Sequence, residues 1–187
     1  IIEVFDFFNE LIKFYDKISP TIGKIFYTLK TTLENVFTTI SDQIESLKKM
    51  AATTISAPIN AAGEAASFLL EQIRRSLGGI NYNLKNGIAG IATLLKTLTT
   101  GKHFESKIVV HGPDTKLGLE LSDAFKKMSQ DERDQLGKNS DLLKKLHTNL
   151  QDLSDKIDNV EKTIEKTNNK DNTINPKEIE EKLSVIL

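Results

Sequence analysis

The chain has 187 residues, of which 39% are apolar and 27% charged, with a net charge of −1. This composition is typical of a folded protein and unlike that of a disordered one. Residues 1–100 carry 10 basic and 9 acidic side chains, and the remainder carries 15 and 17. Neither half has the clustered positive charge that nucleic-acid binding requires, so we expect no nucleic-acid partner. The absence of cysteine excludes thiolate catalysis, zinc fingers, iron–sulfur clusters and disulfides.

The first segment, residues 1–17, repeats apolar residues at steps of three and four, which predicts an amphipathic helix. Phe5, Phe8 and Leu11 are its candidate contact residues. Burial in a core is the default expectation for these side chains, and exposure would make them a ligand, membrane or partner contact. Ser19 before Pro20 predicts the start of the next helix, with Ser19 as its N-cap.

Residues 20–50 carry a nearly regular heptad seam, which predicts a long helix. Its candidate packing residues include Leu29, Leu33 and Ile40. A further helix is expected from about residue 60 to 77, because the glycine pair Gly78-Gly79 is a frequent helix stop.

Residues 76–100 are the least charged part of the chain, with Lys85 and Lys96 as their only charges. The sequence leaves open whether this segment is core or contacts a ligand or membrane. Gly87 and Gly90 predict a close approach between helices. The candidate contact residues of this segment are Ile80, Leu84, Ile88, Ile91 and Leu95.

The helical pattern breaks over residues 101–118, which we interpret as a long loop. His103 and His111 lie in this segment, together with carboxylate side chains. Their spacing matches no metal-binding motif, so we expect no metal ion. His147 is interpreted as a plain surface histidine.

The pattern of a second long helix covers residues 130–165, preceded by the capping-box pair Ser129 and Glu132. Polar residues 167–175 predict a linker, and Pro176 begins a short C-terminal helix. The stripe from Leu143 to Ile164 has a length similar to that of the first seam, so the two can cover each other within one chain. Its candidate packing residues are Leu143, Leu146, Leu150, Leu153 and Ile157.

Together these patterns predict an all-α protein: a helical bundle of about four to six helices with two long heptad-patterned helices, at about 20–50 and 130–165. We expect residues 1–187 to form a single helical domain. Neither a nucleophile elbow nor a phosphate-binding glycine loop is present in the sequence. The chain is therefore expected to be non-enzymatic, with no catalytic residue and no cofactor.

Amphipathic helices are the main functional signal, and they favour binding of an apolar small molecule, a lipid or partner helices. In general architecture the chain is similar to exchangeable lipid carriers such as the insect apolipophorins, which implies lipid binding. A membrane-active protein, pore-forming or translocator-type, is the alternative, as is a structural coiled-coil oligomer formed by self-association. The start at Ile1 slightly favours a secreted, extracellular protein, because removal of a signal peptide would explain it.

Overall fold

The computed structural model describes residues 2–54, 59–100, 124, 127–169 and 176–187. Of these residues 95% are helical, and they include no strand. The predicted all-α bundle is therefore confirmed. The helices are α1 (Ile2–Ile18), α2 (Pro20–Thr54), α3 (Ile59–Thr100), α4 (Gln130–Gly137), α5 (Ser140–Asn169) and α6 (Pro176–Ile186).

Side-chain caps begin two of the helices where the sequence predicts them. The Ser19 hydroxyl oxygen accepts a hydrogen bond from the backbone N–H of Ile22 at 3.5 Å, and α2 starts at Pro20. Ser129 has extended backbone angles, and its hydroxyl oxygen accepts from the N–H of Glu132 at 3.3 Å. These bonds satisfy amide groups that have no carbonyl partner in the first helical turn.

The predicted helix end at Gly78-Gly79 is wrong, because α3 continues through both glycines for a total of 42 residues. The buried face of the helix is continuous across them: Leu70, Ile73 and Leu77 precede the pair, and Leu84 follows it. Two glycines in a helix interior cost about 1 kcal/mol each. Burying an apolar side chain contributes about 1.5–3 kcal/mol, so packing on both sides outweighs the local preference for a stop.

The predicted helix at 130–165 is divided into α4 and α5. Lys138 follows α4, and its N–H donates to the carbonyl oxygen of Gln135 at 3.2 Å, while the N–H of Asn139 donates to that of Leu136 at 3.3 Å. These bonds close the last turn of α4. The predicted linker at 167–175 begins later than expected, since α5 extends to Asn169. Residues 170–175 and the predicted loop at 101–118 lie outside the described residues.

The chain groups into two compact units, each built from two stretches of sequence. Unit 1 comprises Ile1–Leu33 and Asn83–Asp152. Its buried apolar side chains come from α1 to α5 and from two residues that precede α4, Ala124 and Met128. They are Val4, Phe8, Leu11, Tyr15, Ile22, Ile25, Phe26, Leu29, Leu33, Leu84, Ala89, Ile91, Leu94, Ala124, Met128, Leu136, Leu143, Leu146 and Leu150.

Unit 2 comprises Glu34–Tyr82 and Leu153–Leu187. Its buried apolar side chains come from α2, α3, α5 and α6. They are Val36, Ile40, Ile44, Leu47, Ala66, Leu70, Ile73, Leu77, Leu153, Ile157, Val160, Ile164, Ile179, Leu183 and Ile186. The single domain expected from the sequence stays a prediction.

The stripe from Leu143 to Ile164 is covered by this chain itself. Its seven apolar side chains are between 0% and 6% exposed. The candidate packing residues of α2, Leu29, Leu33 and Ile40, are buried as well. No second chain is therefore needed to bury the stripe. Any partner must bind elsewhere on the surface.

Candidate functional site

The contact residues predicted on α1 and α3 lie in or beside the cores. Phe8, Leu11 and Ile91 are 0% exposed and Leu84 is 4% exposed. The other four candidates, Phe5, Ile80, Ile88 and Leu95, are half-buried. These side chains do not form an exposed apolar patch, so an apolar ligand or a membrane would reach the buried ones only if the helices separated.

Tyr15 joins three helices of unit 1. Its ring stacks on Phe26 of α2, with centroids 5.2 Å apart, and its hydroxyl donates to the carbonyl oxygen of Leu136 at 3.4 Å. Burial raises the pKa of Tyr15, because the ionised phenolate would be poorly solvated there. Helices α1 and α2 also approach each other closely at Gly23, where an added Cβ would lie 2.9 Å from the Cα of Asp16.

Unit 2 contains a buried polar cluster between α3 and α5. The Ser154 hydroxyl donates to Oδ1 of Asn81 at 2.7 Å, and Nδ2 of Asn81 donates to Oδ1 of Asp158 at 2.6 Å. Asn81 and Ser154 are each 3% exposed. A satisfied polar group on an apolar seam fixes helix register, since a shift would leave it buried without its partners.

Ion pairs also lie on α3 in unit 2. Arg74 donates to both carboxylate oxygens of Glu71, and Arg75 donates to Oε1 of the same group at 3.3 Å. The hydrogen bonds from Arg74, together with the nearby positive charges, lower the pKa of Glu71 to about 2. Nη1 of Arg74 also lies 3.7 Å from Oε1 of Glu165 in α5. These bonds hold the side chains of Glu71 and Arg74 against the helix surface.

The outer face of α3, about half a turn from its buried seam, carries a second row at steps of three and four. Every member of this row, which we call the outer stripe, is exposed. The outer stripe consists of Ala65, Phe68, Gln72, Arg75, Gly79 and Tyr82.

Two features distinguish the outer stripe from ordinary surface. Phe68 is 67% exposed although it lies within a long helix, away from either end, and Tyr82 is 37% exposed. At Gly79 an added Cβ would meet no atom within 4 Å, so the helix is open to approach there. The row spans about 25 Å at the rise of an α-helix.

Other large apolar side chains on the described surface stand alone. Tyr27 is 60% exposed on α2, beside the exposed polar side chains of Lys24, Thr28 and Thr31. Val185 is 69% exposed near the end of α6. Single exposed apolar residues are normal in soluble proteins. The outer stripe is the candidate site for a partner because it places two of the four exposed large apolar side chains of the described residues, Phe68 and Tyr82, on one helix face.

Sequence reasoning missed this stripe because the expected helix stop at Gly78-Gly79 divided it. The available signal was the spacing of Phe68 and Tyr82, which are two heptads apart. In one continuous helix that spacing places both rings on the same face.

The described residues show no group of three or more histidine, aspartate or glutamate side chains that could hold a metal ion. His147 is half-buried, and burial lowers its pKa. His103 and His111 lie outside the described part of the chain. None of the described helices is long and apolar enough to cross a membrane.

Comparisons of the chain with protein-family models, curated proteins and solved structures find no match.

Proposed function

We propose that this protein is a non-enzymatic helical bundle that binds a partner helix along the outer stripe of α3. The observation that carries the proposal is Phe68, which is 67% exposed and is the second of the six members of a heptad-spaced row. Burying a phenylalanine side chain stabilises a complex by about 1.5–3 kcal/mol. Aromatic anchors of this kind supply much of the binding free energy in protein interfaces.

The spacing of the row favours a helix as the partner. Steps of three and four residues present one straight line of side chains, which a second helix can follow over about 25 Å. Arg75 is the single charged member of the row. Its neighbour Glu71 is bonded to arginine side chains of the same helix, so docking would bury few free charges.

Binding of an apolar molecule or lipid in the core has less support. Its candidate residues include the fully buried Phe8, Leu11 and Ile91. Reaching them would require separation of helices whose apolar faces stabilise the fold. The membrane-active alternative has the same requirement.

The proposal is tested by selecting helical peptides on the folded protein. A displayed library of heptad-patterned peptides is selected on the wild-type chain, and each binder is measured against Phe68→Glu and Tyr27→Glu. Tyr27 is the matched control, since it is 60% exposed on a different helix. We expect selected peptides to bind the wild type and Tyr27→Glu equally and to lose at least tenfold in affinity for Phe68→Glu. Failure to select binders, or binders that tolerate Phe68→Glu, would overturn the proposal.

A fluorescence experiment separates a helix from a lipid surface. The chain has no tryptophan, so Phe68→Trp introduces a single indole at the proposed contact. We expect its emission to shift to the blue with a selected peptide and to stay unchanged with neutral or anionic phospholipid vesicles. A blue shift with vesicles alone would contradict the helix proposal and favour a membrane contact.

A further inference from the structure

We infer that a second copy of this chain occupies the outer stripe, in an antiparallel arrangement that places Phe68 against Gly79 of the other copy. This inference rests on the proposed function and names the partner helix as α3 itself. It follows from the order of large and small residues along the row.

The outer stripe is self-complementary when it is read in opposite directions. With Phe68 opposite Gly79 of the second copy, Ala65 lies opposite Tyr82 and Gln72 lies opposite Arg75. Each aromatic ring then faces a residue with a very small side chain. The open space around the Cβ position of Gly79 is where the ring of Phe68 would enter. A twofold axis repeats all three pairs, as in the isologous interfaces of most homodimers.

Charge favours the same arrangement. Arg75 lies opposite a neutral glutamine, and the two copies of Arg75 are offset from each other by about 4.5 Å along the helix axis. Glu71, which is bonded to Arg74 and Arg75 of its own helix, offsets part of the repulsion between them. A parallel pair in register would instead place Arg75 against Arg75, Phe68 against Phe68 and Gly79 against Gly79. That arrangement opposes two like charges and leaves a gap at the glycines, so the antiparallel arrangement is the complementary one.

The small size of the contact sets the expected strength. One helix pair about 25 Å long buries less surface than the roughly 1,600 Å² of a standard stable complex. The dimer is therefore weak and reversible, and it forms as the protein concentration rises. The apolar seams that are buried inside each chain need not open for this association.

Sedimentation equilibrium of the full chain tests the inference. We expect a reversible monomer–dimer equilibrium for the wild type and at least tenfold weaker association for Gly79→Gln, which fills the space that Phe68 would enter. The substitution has room in the monomer. Gly137→Gln is the matched control, because a Cβ there also meets no atom within 4 Å, and we expect its association to equal that of the wild type. A wild type that stays monomeric at all accessible concentrations would overturn the inference.

An exchange of the two residues tests the register. In Phe68→Gly/Gly79→Phe the large and small positions are swapped, so the same pairing is restored with the roles reversed. We expect the double variant to associate more tightly than either single variant. A double variant no better than its parents would show that the two positions do not face each other.

Disulfide cross-linking tests whether the two α3 helices run antiparallel. The chain has no cysteine of its own, so each introduced cysteine reports one position. Mixed Ala65→Cys and Tyr82→Cys chains should form a disulfide between copies, and Ala65→Cys alone should not, since its two sites would lie about 25 Å apart. Cross-linking of Ala65→Cys with itself would contradict the antiparallel arrangement. A monomeric wild type that still binds selected peptides would leave the proposed function standing without the dimer.

Discussion

The hydroxyl of Tyr15 in α1 donates a hydrogen bond to the carbonyl oxygen of Leu136 in α4, although the two residues are 121 positions apart. Both side chains are fully buried. The short helix α4 has eight residues and exposes most of its polar side chains. Its packing on α1 is therefore expected to contribute more to its stability than its own helical propensity does.

The contribution of this bond is measured with Tyr15→Phe. The variant keeps the ring that stacks on Phe26 and removes the hydroxyl, so we expect a loss of about 0.5–1.5 kcal/mol in the free energy of unfolding. Tyr15→Ala also removes the ring and should lose about 3–5 kcal/mol. Urea unfolding followed by circular dichroism measures both. Equal losses for the two variants would show that the ring of Tyr15 contributes nothing to stability beyond its hydroxyl.

The same residue predicts a loss of stability in alkaline solution. In an unfolded chain a tyrosine ionises near pH 10, whereas burial raises the pKa of Tyr15 in the native protein. Above pH 10 the unfolded state releases a proton that the native state retains, so the stability from this residue is full below that pH and falls as pH rises. The slope of unfolding free energy against pH between 9.5 and 11 should be smaller for Tyr15→Phe. An equal slope for the wild type and Tyr15→Phe would contradict this prediction.

Two glycines in helices are expected to respond to alanine in opposite directions. Gly79→Ala enters open space and should stabilise the monomer by about 0.5–1 kcal/mol, because alanine is the better helix former. Gly23→Ala would place its Cβ 2.9 Å from the Cα of Asp16, and a backbone atom moves only with its helix. We expect that variant to be destabilised by about 1–3 kcal/mol. Thermal unfolding at low protein concentration compares them, and stabilisation of Gly23→Ala would refute the close approach of α1 and α2.

The polar cluster of unit 2 predicts a strong coupling between α3 and α5. Asn81→Leu removes the amide and leaves the buried hydroxyl of Ser154 without its acceptor, so we expect a loss of about 1–3 kcal/mol. Adding Ser154→Ala should recover part of that loss. A double-mutant cycle of unfolding free energies measures the coupling. Strictly additive losses would show that the bond contributes nothing.

Gln43, also in unit 2, is a buried polar residue whose side-chain oxygen lacks a hydrogen-bond partner among the described residues. It is 9% exposed. A buried polar group without a partner costs about 1–3 kcal/mol, so Gln43→Met should stabilise the protein by about that range. Met has a similar length and flexible side chain. If urea unfolding showed that Gln43→Met is destabilised, the side-chain oxygen of Gln43 would have to accept a hydrogen bond in solution.

The long amphipathic elements could be predicted because their spacing repeats over many turns. The seam from Leu143 to Ile164 is buried throughout, and the starts at Pro20 and Pro176 agree with the sequence. Each of these signals is local and is reinforced by neighbouring turns.

The features that the sequence did not reveal depend on contacts distant along the chain. Packing keeps Gly78 and Gly79 helical, and the cluster of Asn81 with Ser154 joins residues 73 positions apart. The outer stripe was missed for the same reason: it exists only once the helix is known to continue through its glycines. The eight predicted contact residues are apolar, and composition alone does not distinguish a core residue from a surface one.

The discontinuity of unit 2 has a consequence for synthesis on the ribosome. Its first stretch ends at Tyr82 and its second begins at Leu153, so about 70 residues must be translated between them. At roughly 5–20 residues per second this takes about 4–14 seconds. During that interval the face of the nascent α3 that will meet α5 has no complement, and it is available to chaperones that bind exposed apolar segments.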